Sequence, residues 1–235
     1  TTLFRSKKML EGEIPSEIEL RPKHIHIFRK LSEAGMPYDV AKNVILIHNR
    51  NVLIDLTRGV QFMNEIIEMV KDAFRNLMDE GPLAKEPCTR VKVVITDADL
   101  HEDPVHRGPG QIMPATRYAI REGMLMNIAL LEPKQIIRID VPSELVGEAI
   151  REVEERRGQI LDMKEEKGAS VITAKIPVAD LFGFDASLKS STSGRGFYCL
   201  IETVFERLPM EMFENVVKSI RKRKGLPEDI PKPEV

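Results

Sequence analysis

Apolar positions along this chain recur with two periods, and the switches between them mark its elements. Val60, Met63, Ile66, Ile67, Val70, Ala73, Phe74 and Leu77 fall on one helical face. Gly81 and Pro82 end that helix. From Val91 the period shortens: Val91, Val93 and Ile95 alternate with Lys92, Val94 and Thr96, as in a strand. Asn51 to Leu56 reads as an earlier strand closed by a Thr-Arg-Gly turn. Upstream, Ile25, Ile27, Phe28 and Leu31 have helical spacing, with Gly35 at the C′ position. Val40, Val44 and Ile47 predict another short helix. Pro15 and Pro22 interrupt the opening stretch, which predicts short helices and loops to residue 22.

The second half resets the pattern. A helix is expected after Gln111, with Pro114 in its first turn and Ile120, Met124 and Ile128 toward the core. Met63, Met69 and Met124 read as packing residues. Ile137, Ile139 and Val141 alternate as a strand, and Ser143 is placed to cap a helix with Val146, Ala149, Ile150 and Val153 as its stripe and Gly158 at its end. Residues 160–164 and 170–176 predict two strands joined at Glu165-Glu166-Lys167-Gly168, a hairpin signal. Residues 178–190 predict a helical segment interrupted at Gly183, and 197–205 a last strand. Strand, helix, strand, strand, helix, strand is the ferredoxin-like order. A final helix over 211–222 precedes a Pro-rich tail, 227–235. The expected fold class is α+β in two domains.

Composition narrows the function classes. The 235 residues are 42% hydrophobic and 31% charged, a globular composition. Lys and Arg number 35 against 37 Asp and Glu, a net charge of −2, so any nucleic-acid contact must come from local patches. Cys88 and Cys199 are too few and too far apart for a disulfide framework or zinc ribbon, which fits a reducing, intracellular setting; both read as inert. No apolar run approaches the ~20 residues that span a bilayer, and the first eight residues do not read as a secretory signal. No Gly-x-x-x-x-Gly-Lys-Ser/Thr motif is present; Ser193-Gly194-Arg195-Gly196 lacks its Lys and reads as a turn. His24, His26 and His48 read as structural or surface histidines.

The loop 97–111 concentrates the candidate chemistry. Asp97, Asp99, His101 and His106 are permissible metal ligands. The two histidines are five apart with Pro104 between them, which departs from the four-residue spacing of a helical zinc site. A solvated loop with ordinary histidines is the plainer reading. A third treats the loop as a stiff projecting tip, because Pro104, Gly108, Pro109 and Gly110 constrain the backbone around His106-Arg107. Such a tip reaches phosphates or bases without many charges. Arg221, Lys222, Arg223 and Lys224 form a basic run at a helix end, suited either to the helix dipole or to a phosphate contact.

The string 100–114, LHEDPVHRGPGQIMP, closely resembles the domain IV tip of archaeal and eukaryotic translation elongation factor 2. Residues 51–61 (NVLIDLTRGVQ), 79–83 (DEGPL), 131–133 (LEP), 181–196 (LFGFDASLKSSTSGRG) and 221–226 (RKRKGL) resemble that family in the same order. The resemblance implies a ribosomal-protein-like β-α-β domain IV with a left-handed crossover over 1–131, N-terminally incomplete and with its tip at 97–111. It implies a ferredoxin-like βαββαβ domain V over 132–207, and a helix and tail, 208–235, packing back on domain IV. It implies that the chain is a C-terminal fragment or a shortened paralogue, with no cofactor of its own, GTP and Mg belonging to the parent factor.

His106 matches the histidine converted to diphthamide and used as acceptor by ADP-ribosylating toxins. The resemblance implies that Asp103, Arg107, Gly108 and Gln111 shape the tip or contact the ribosome, and Arg221, Lys222, Arg223 and Lys224 are expected as phosphate contacts. The partners implied are the ribosome (rRNA, the tRNA-mRNA of the decoding region and the sarcin–ricin loop region) and the diphthamide-synthesis enzymes, in the cytoplasm and with no membrane. Two other classes stand beside this one: a free-standing ribosome- or RNA-associated module without a GTPase, and a metal-binding enzyme at the acidic His loop.

Overall fold

The computed structural model describes residues 2–3, 12–166 and 168–234. They fall into two compact units, one running to Ile128 and resuming at Glu214, the other spanning Ala129–Phe213. Both are mixed α and β.

The sheet of the first unit has the order β1-β5-β4-β3-β2. Its strands are β1 (Thr2–Leu3), β2 (Ile18–Glu19), β3 (Val44–His48), β4 (Asn51–Asp55) and β5 (Val91–Ile95). β4 and β5 run parallel, joined through the helix α3 (Met63–Asp79), and the other pairs are antiparallel. β3 and β4 form a two-residue hairpin in which both Asn49 and Arg50 have positive φ, the primed turn that matches strand twist.

Apolar side chains pack on both faces of this sheet. Val44, Ile47, Val52 and Ile54 meet Ile27, Phe28 and Leu31 of α1 (Ile25–Glu33). Leu46 and Leu53 meet Ile66, Val70, Phe74 and Met78 of α3, together with Ile112, Ile120 and Met124 of α4 (Pro109–Leu125). Each fully buried aliphatic or aromatic side chain of this kind contributes ~1.5–3 kcal/mol.

Burial on both faces explains a misreading. Val40, Val44 and Ile47 do not share a helix: α2 (Tyr38–Ala41) is one short turn, and 44–48 is the strand β3. A strand covered on both sides loses its alternation, so its apolar run mimics helical spacing. The opening, expected as short helices and loops, contributes the short strands β1 and β2 to the sheet; residues 1 and 4–11 of it lie outside the described residues. Gly35 takes φ +99 after α1, and Met36 donates back to Leu31 O at 3.1 Å, a helix-closing turn.

Pro114 is the sixth residue of α4 rather than a first-turn residue, because the helix already begins at Pro109. Its missing N–H leaves the exposed Gly110 without its helical donor, a site where water can substitute.

The second unit has the sheet order β7-β8-β6-β9, all pairs antiparallel, with β6 (Leu131–Pro142), β7 (Gln159–Glu166), β8 (Ala169–Pro177) and β9 (Phe197–Arg207). Ile137, Ile139, Val141, Ile172, Ala174 and Ile176 pack against α5 (Val146–Glu154) and α6 (Phe184–Ser191) through Ala149, Val153, Phe184 and Leu188. Gly183, with φ +78, separates a 3-10 turn from α6. The connector between β7 and β8 includes Lys167, outside the described residues; Gly168 follows it at φ +83.

Ser143 does not cap α5. Leu145 holds the cap position, and the Ser143 hydroxyl donates instead to Glu165 Oε1 at 3.1 Å. α5 ends at Glu154, and Arg157 takes the left-handed turn; Gly158 is needed because a Cβ there would lie 2.6 Å from the Val153 carbonyl oxygen. The last helix, α7, runs Met210–Arg223. No helix of the described residues is long and apolar enough to cross a membrane.

Candidate functional site

The loop after β5 ends in a 3-10 turn, Pro104–Arg107, followed at once by α4. Asp103 starts the turn: its Oδ1 accepts from Val105 N at 3.0 Å and its carbonyl accepts from His106 N at 3.1 Å. This is an Asx-type cap, in which a short carboxylate satisfies the first free N–H. Gly108 is extended (φ −76, ψ 170) between the turn and α4, and its carbonyl accepts from Gln111 N and Ile112 N at 3.1 and 3.0 Å. Pro109 opens the helix, where its lack of an N–H costs nothing. Gln111 is exposed, with its side-chain oxygen 3.3 Å from where a Cβ on Gly108 would lie.

The side chains of the turn divide sharply. Pro104, Val105 and His106 are exposed. The His106 ring meets the His101 ring edge-on, centroids 4.4 Å apart. His101 Nδ1 accepts from Asp103 N at 3.0 Å, which fixes that nitrogen as the unprotonated one and orients the ring. Arg107 points inward and is 5% exposed. Its Nε and Nη2 donate to Glu65 Oε2 at 3.0 and 2.8 Å, and its Nη1 donates to the carbonyls of His101 and Glu102 at 2.7 and 2.6 Å. Its guanidinium carbon lies 3.8 Å over the Phe62 ring. Four of the five guanidinium N–H groups are thus engaged in charge-assisted hydrogen bonds, over an aromatic face. Arg107 is therefore an internal brace of the tip, and a direct contact from its side chain is not available.

The metal-ligand arrangement considered for Asp97, Asp99, His101 and His106 does not assemble. Among the described residues no three His, Cys, Asp or Glu side chains come together as a ligand set, and His101 Nδ1 is already occupied. Asp97 instead accepts from Ala98 N at 2.9 Å.

The basic run splits in two. Arg221 is buried, donating to the carbonyl of Pro227 at 2.5 Å and to that of Leu83. Lys224 reaches the carbonyl of Lys85 at 2.6 Å and Glu86 at 2.7 Å. These two cations hold the tail against the turn that ends α3, and the guanidinium of Arg221, expected as a phosphate contact, is directed to protein carbonyls. Lys222, Arg223 and Lys224 are exposed, Lys224 with its ammonium held by those partners.

The other groups singled out by sequence are either internal or plainly at the surface. His48 is buried, with Nδ1 3.3 Å from Glu17 Oε1 and Nε2 2.8 Å from Asp79 Oδ1. His24 Nδ1 accepts from Arg21 N at 2.9 Å, and His26 is exposed. Burial pushes the Cys88 thiol up to about 11, whereas Cys199 is exposed on β9.

Sequence reading missed Phe62 and Glu65, which lie some forty residues before the tip; the signal available was only an acid in the first turn of α3. It also missed Asn51. This buried amide donates to Cys88 O at 2.9 Å and accepts from Val91 N at 3.0 Å, joining β4 to the start of β5.

Residues 19–127 match the family model of elongation factor G, domain IV, and residues 129–216 that of the elongation factor G C-terminus. The chain is 45% identical over 222 residues to elongation factor 2 of Pyrococcus horikoshii, covering 94% of this chain and 30% of that protein. It is 43% identical over 224 residues to elongation factor 2 of Nanoarchaeum equitans, covering 95% of this chain and 30% of the relative. The corresponding protein of Thermococcus onnurineus is 43% identical over 223 residues, 94% of this chain and 30% of its own length. The chain thus spans about 30% of the length of the curated relatives it matches.

Proposed function

We propose, from the premise that this chain belongs to the elongation factor 2 family through its domain IV and its C-terminal domain, that it is the ribosome-inserting part of a translocation factor. The tip 97–111 enters the decoding region of the small subunit as tRNA and mRNA move. His106 carries the diphthamide modification and is the acceptor for ADP-ribosylating toxins. The domain limits 1–131, 132–207 and 208–235 belong to the same proposal, with the second domain meeting the large subunit near the sarcin–ricin loop and Lys222 and Arg223 contacting phosphate. The setting is cytoplasmic.

One observation carries the reading: His106 stands exposed on a turn whose next residue, Arg107, is locked inside. A modified histidine must be reached by its modifying enzymes and then meet RNA, and a pre-ordered loop lowers the entropy lost in both encounters. The role asks this chain to bind and present. GTP and its Mg would lie with another domain, because the sequence has no P-loop.

The test places this chain in the corresponding region of an archaeal elongation factor 2 and measures GTP-dependent translocation. Ribosome binding with active translocation, and loss of reading-frame fidelity on His106→Ala, is the expected result. No binding, or no effect of His106→Ala, overturns the proposal.

A further inference from the structure

We propose that Phe62 and Glu65 are positioning residues for His106, acting through Arg107, so that the modifying enzymes read a loop conformation set by the first turn of α3. The inference rests on the reading of His106 as the modified residue.

Arg107 is the only residue of the 3-10 turn whose side chain is buried. Among the described residues its other hydrogen-bond and aromatic partners, apart from two carbonyls of its own loop, are Glu65 in the first turn of α3 and Phe62 at its N-cap. Glu65 Oε2 accepts both Nε–H and Nη2–H, and the Phe62 ring lies beneath the guanidinium. Phe62 reaches that place from a left-handed backbone at φ +66, a conformation rarely adopted by a bulky residue. Strain of this kind persists where the surroundings over-determine it.

The Nη1 amino group donates to the carbonyls of His101 and Glu102, so the segment before the 3-10 turn is tied to the turn's last residue. This brings the His101 ring against the His106 ring. The turn then directs His106 away from the buried Arg107. Without the clamp, the loop samples many arrangements and an enzyme must order it on binding, which raises KM more than it lowers kcat.

The experiment uses the full chain with purified archaeal diphthamide-synthesis enzymes and their substrates. Modification is followed by intact mass, and the imidazole ring protons of His101 and His106 are followed by NMR. Glu65→Ala is expected to raise the KM for modification by about tenfold or more and to shift both imidazole resonances, while thermal unfolding stays cooperative. Glu65→Gln, whose amide oxygen still accepts from Arg107, is expected to restore most of both signals. Glu68→Ala, on the same helix but paired with Lys71, serves as control and should match the parent. If Glu65→Ala fails to fold, Phe62→Leu makes the same measurement with an apolar residue kept in place. Modification at the parent KM with unmoved resonances, in whichever variant folds, overturns the proposal alone. A parent chain left unmodified under conditions that modify an archaeal elongation factor 2 overturns the reading of His106, and the proposal with it.

Discussion

His106 and Arg107 are neighbours in the chain and face opposite environments: His106 is exposed, and Arg107 is 5% exposed, with its guanidinium between Phe62 and Glu65. Removing each should therefore have unlike consequences. Arg107→Ala strips two loop carbonyls and Glu65 of their donor and is expected to destabilise the first unit by about 2–4 kcal/mol. His106→Ala should stay within about 0.5 kcal/mol of the parent. Urea midpoints for the two variants check this, with m unchanged for His106→Ala.

Acid should weaken the first unit through Glu19 on β2. The hydrogen bond from Arg75 of α3 holds this carboxyl below its ordinary 4.5, with Lys71 adding to the effect. A depressed carboxylate stabilises the fold above its unfolded value and loses that contribution as pH falls through the lower, folded one. Solvent reaches the pair, so its share is at most about 1 kcal/mol. Stability measured from pH 6 down should fall less steeply in Glu19→Gln than in the parent across that interval.

The two cysteines should separate by reagent. Burial lifts the Cys88 thiol to about 11 from 9.0, which lowers its thiolate fraction by about 100-fold at pH 8. Iodoacetamide at pH 8 should label the exposed Cys199 in the folded chain and reach Cys88 only in denaturant, as peptide mass mapping would record.

Charge reversal should split the basic run into two behaviours. Lys222→Glu with Arg223→Glu should weaken binding to ribosomal RNA and flatten its salt dependence by about two units of slope, with a stability loss limited to the helix-dipole contribution, about 1 kcal/mol. Arg221→Ala should lower the midpoint by about 1–3 kcal/mol, because the carbonyls of Leu83 and Pro227 lose a buried donor. Filter binding at several salt concentrations, paired with urea titration, separates the two.

That split shows where sequence stops being legible. Four consecutive cations look alike as text, but successive helical residues point about 100° apart, so residues three apart share a face. Arg221 turns inward, Lys222 and Arg223 turn out, and the exposed Lys224, just past the helix, bends back to Lys85 and Glu86. The period of α3 was plain because one face is buried and the other wet, and the ferredoxin-like order of the second unit was plain from alternating strands. β3 was not, since both its faces are covered. Ser143 has a capping residue's chemistry, yet its hydroxyl finds Glu165 in another strand. At the tip, the turn residues could be read directly, whereas spacing alone left His106 open between a metal ligand, an ordinary solvated histidine and a presented tip. Phe62, Glu65 and Asn51 act through tertiary contacts that no local spacing encodes.

The most direct measurement is the mass of the tip peptide in protein from the native host, with fragmentation to locate any added group, beside the same peptide from bacterially made protein. The account predicts added diphthamide on His106 in the host protein and an unmodified histidine in the bacterial one. An unmodified His106 in the host protein would contradict it.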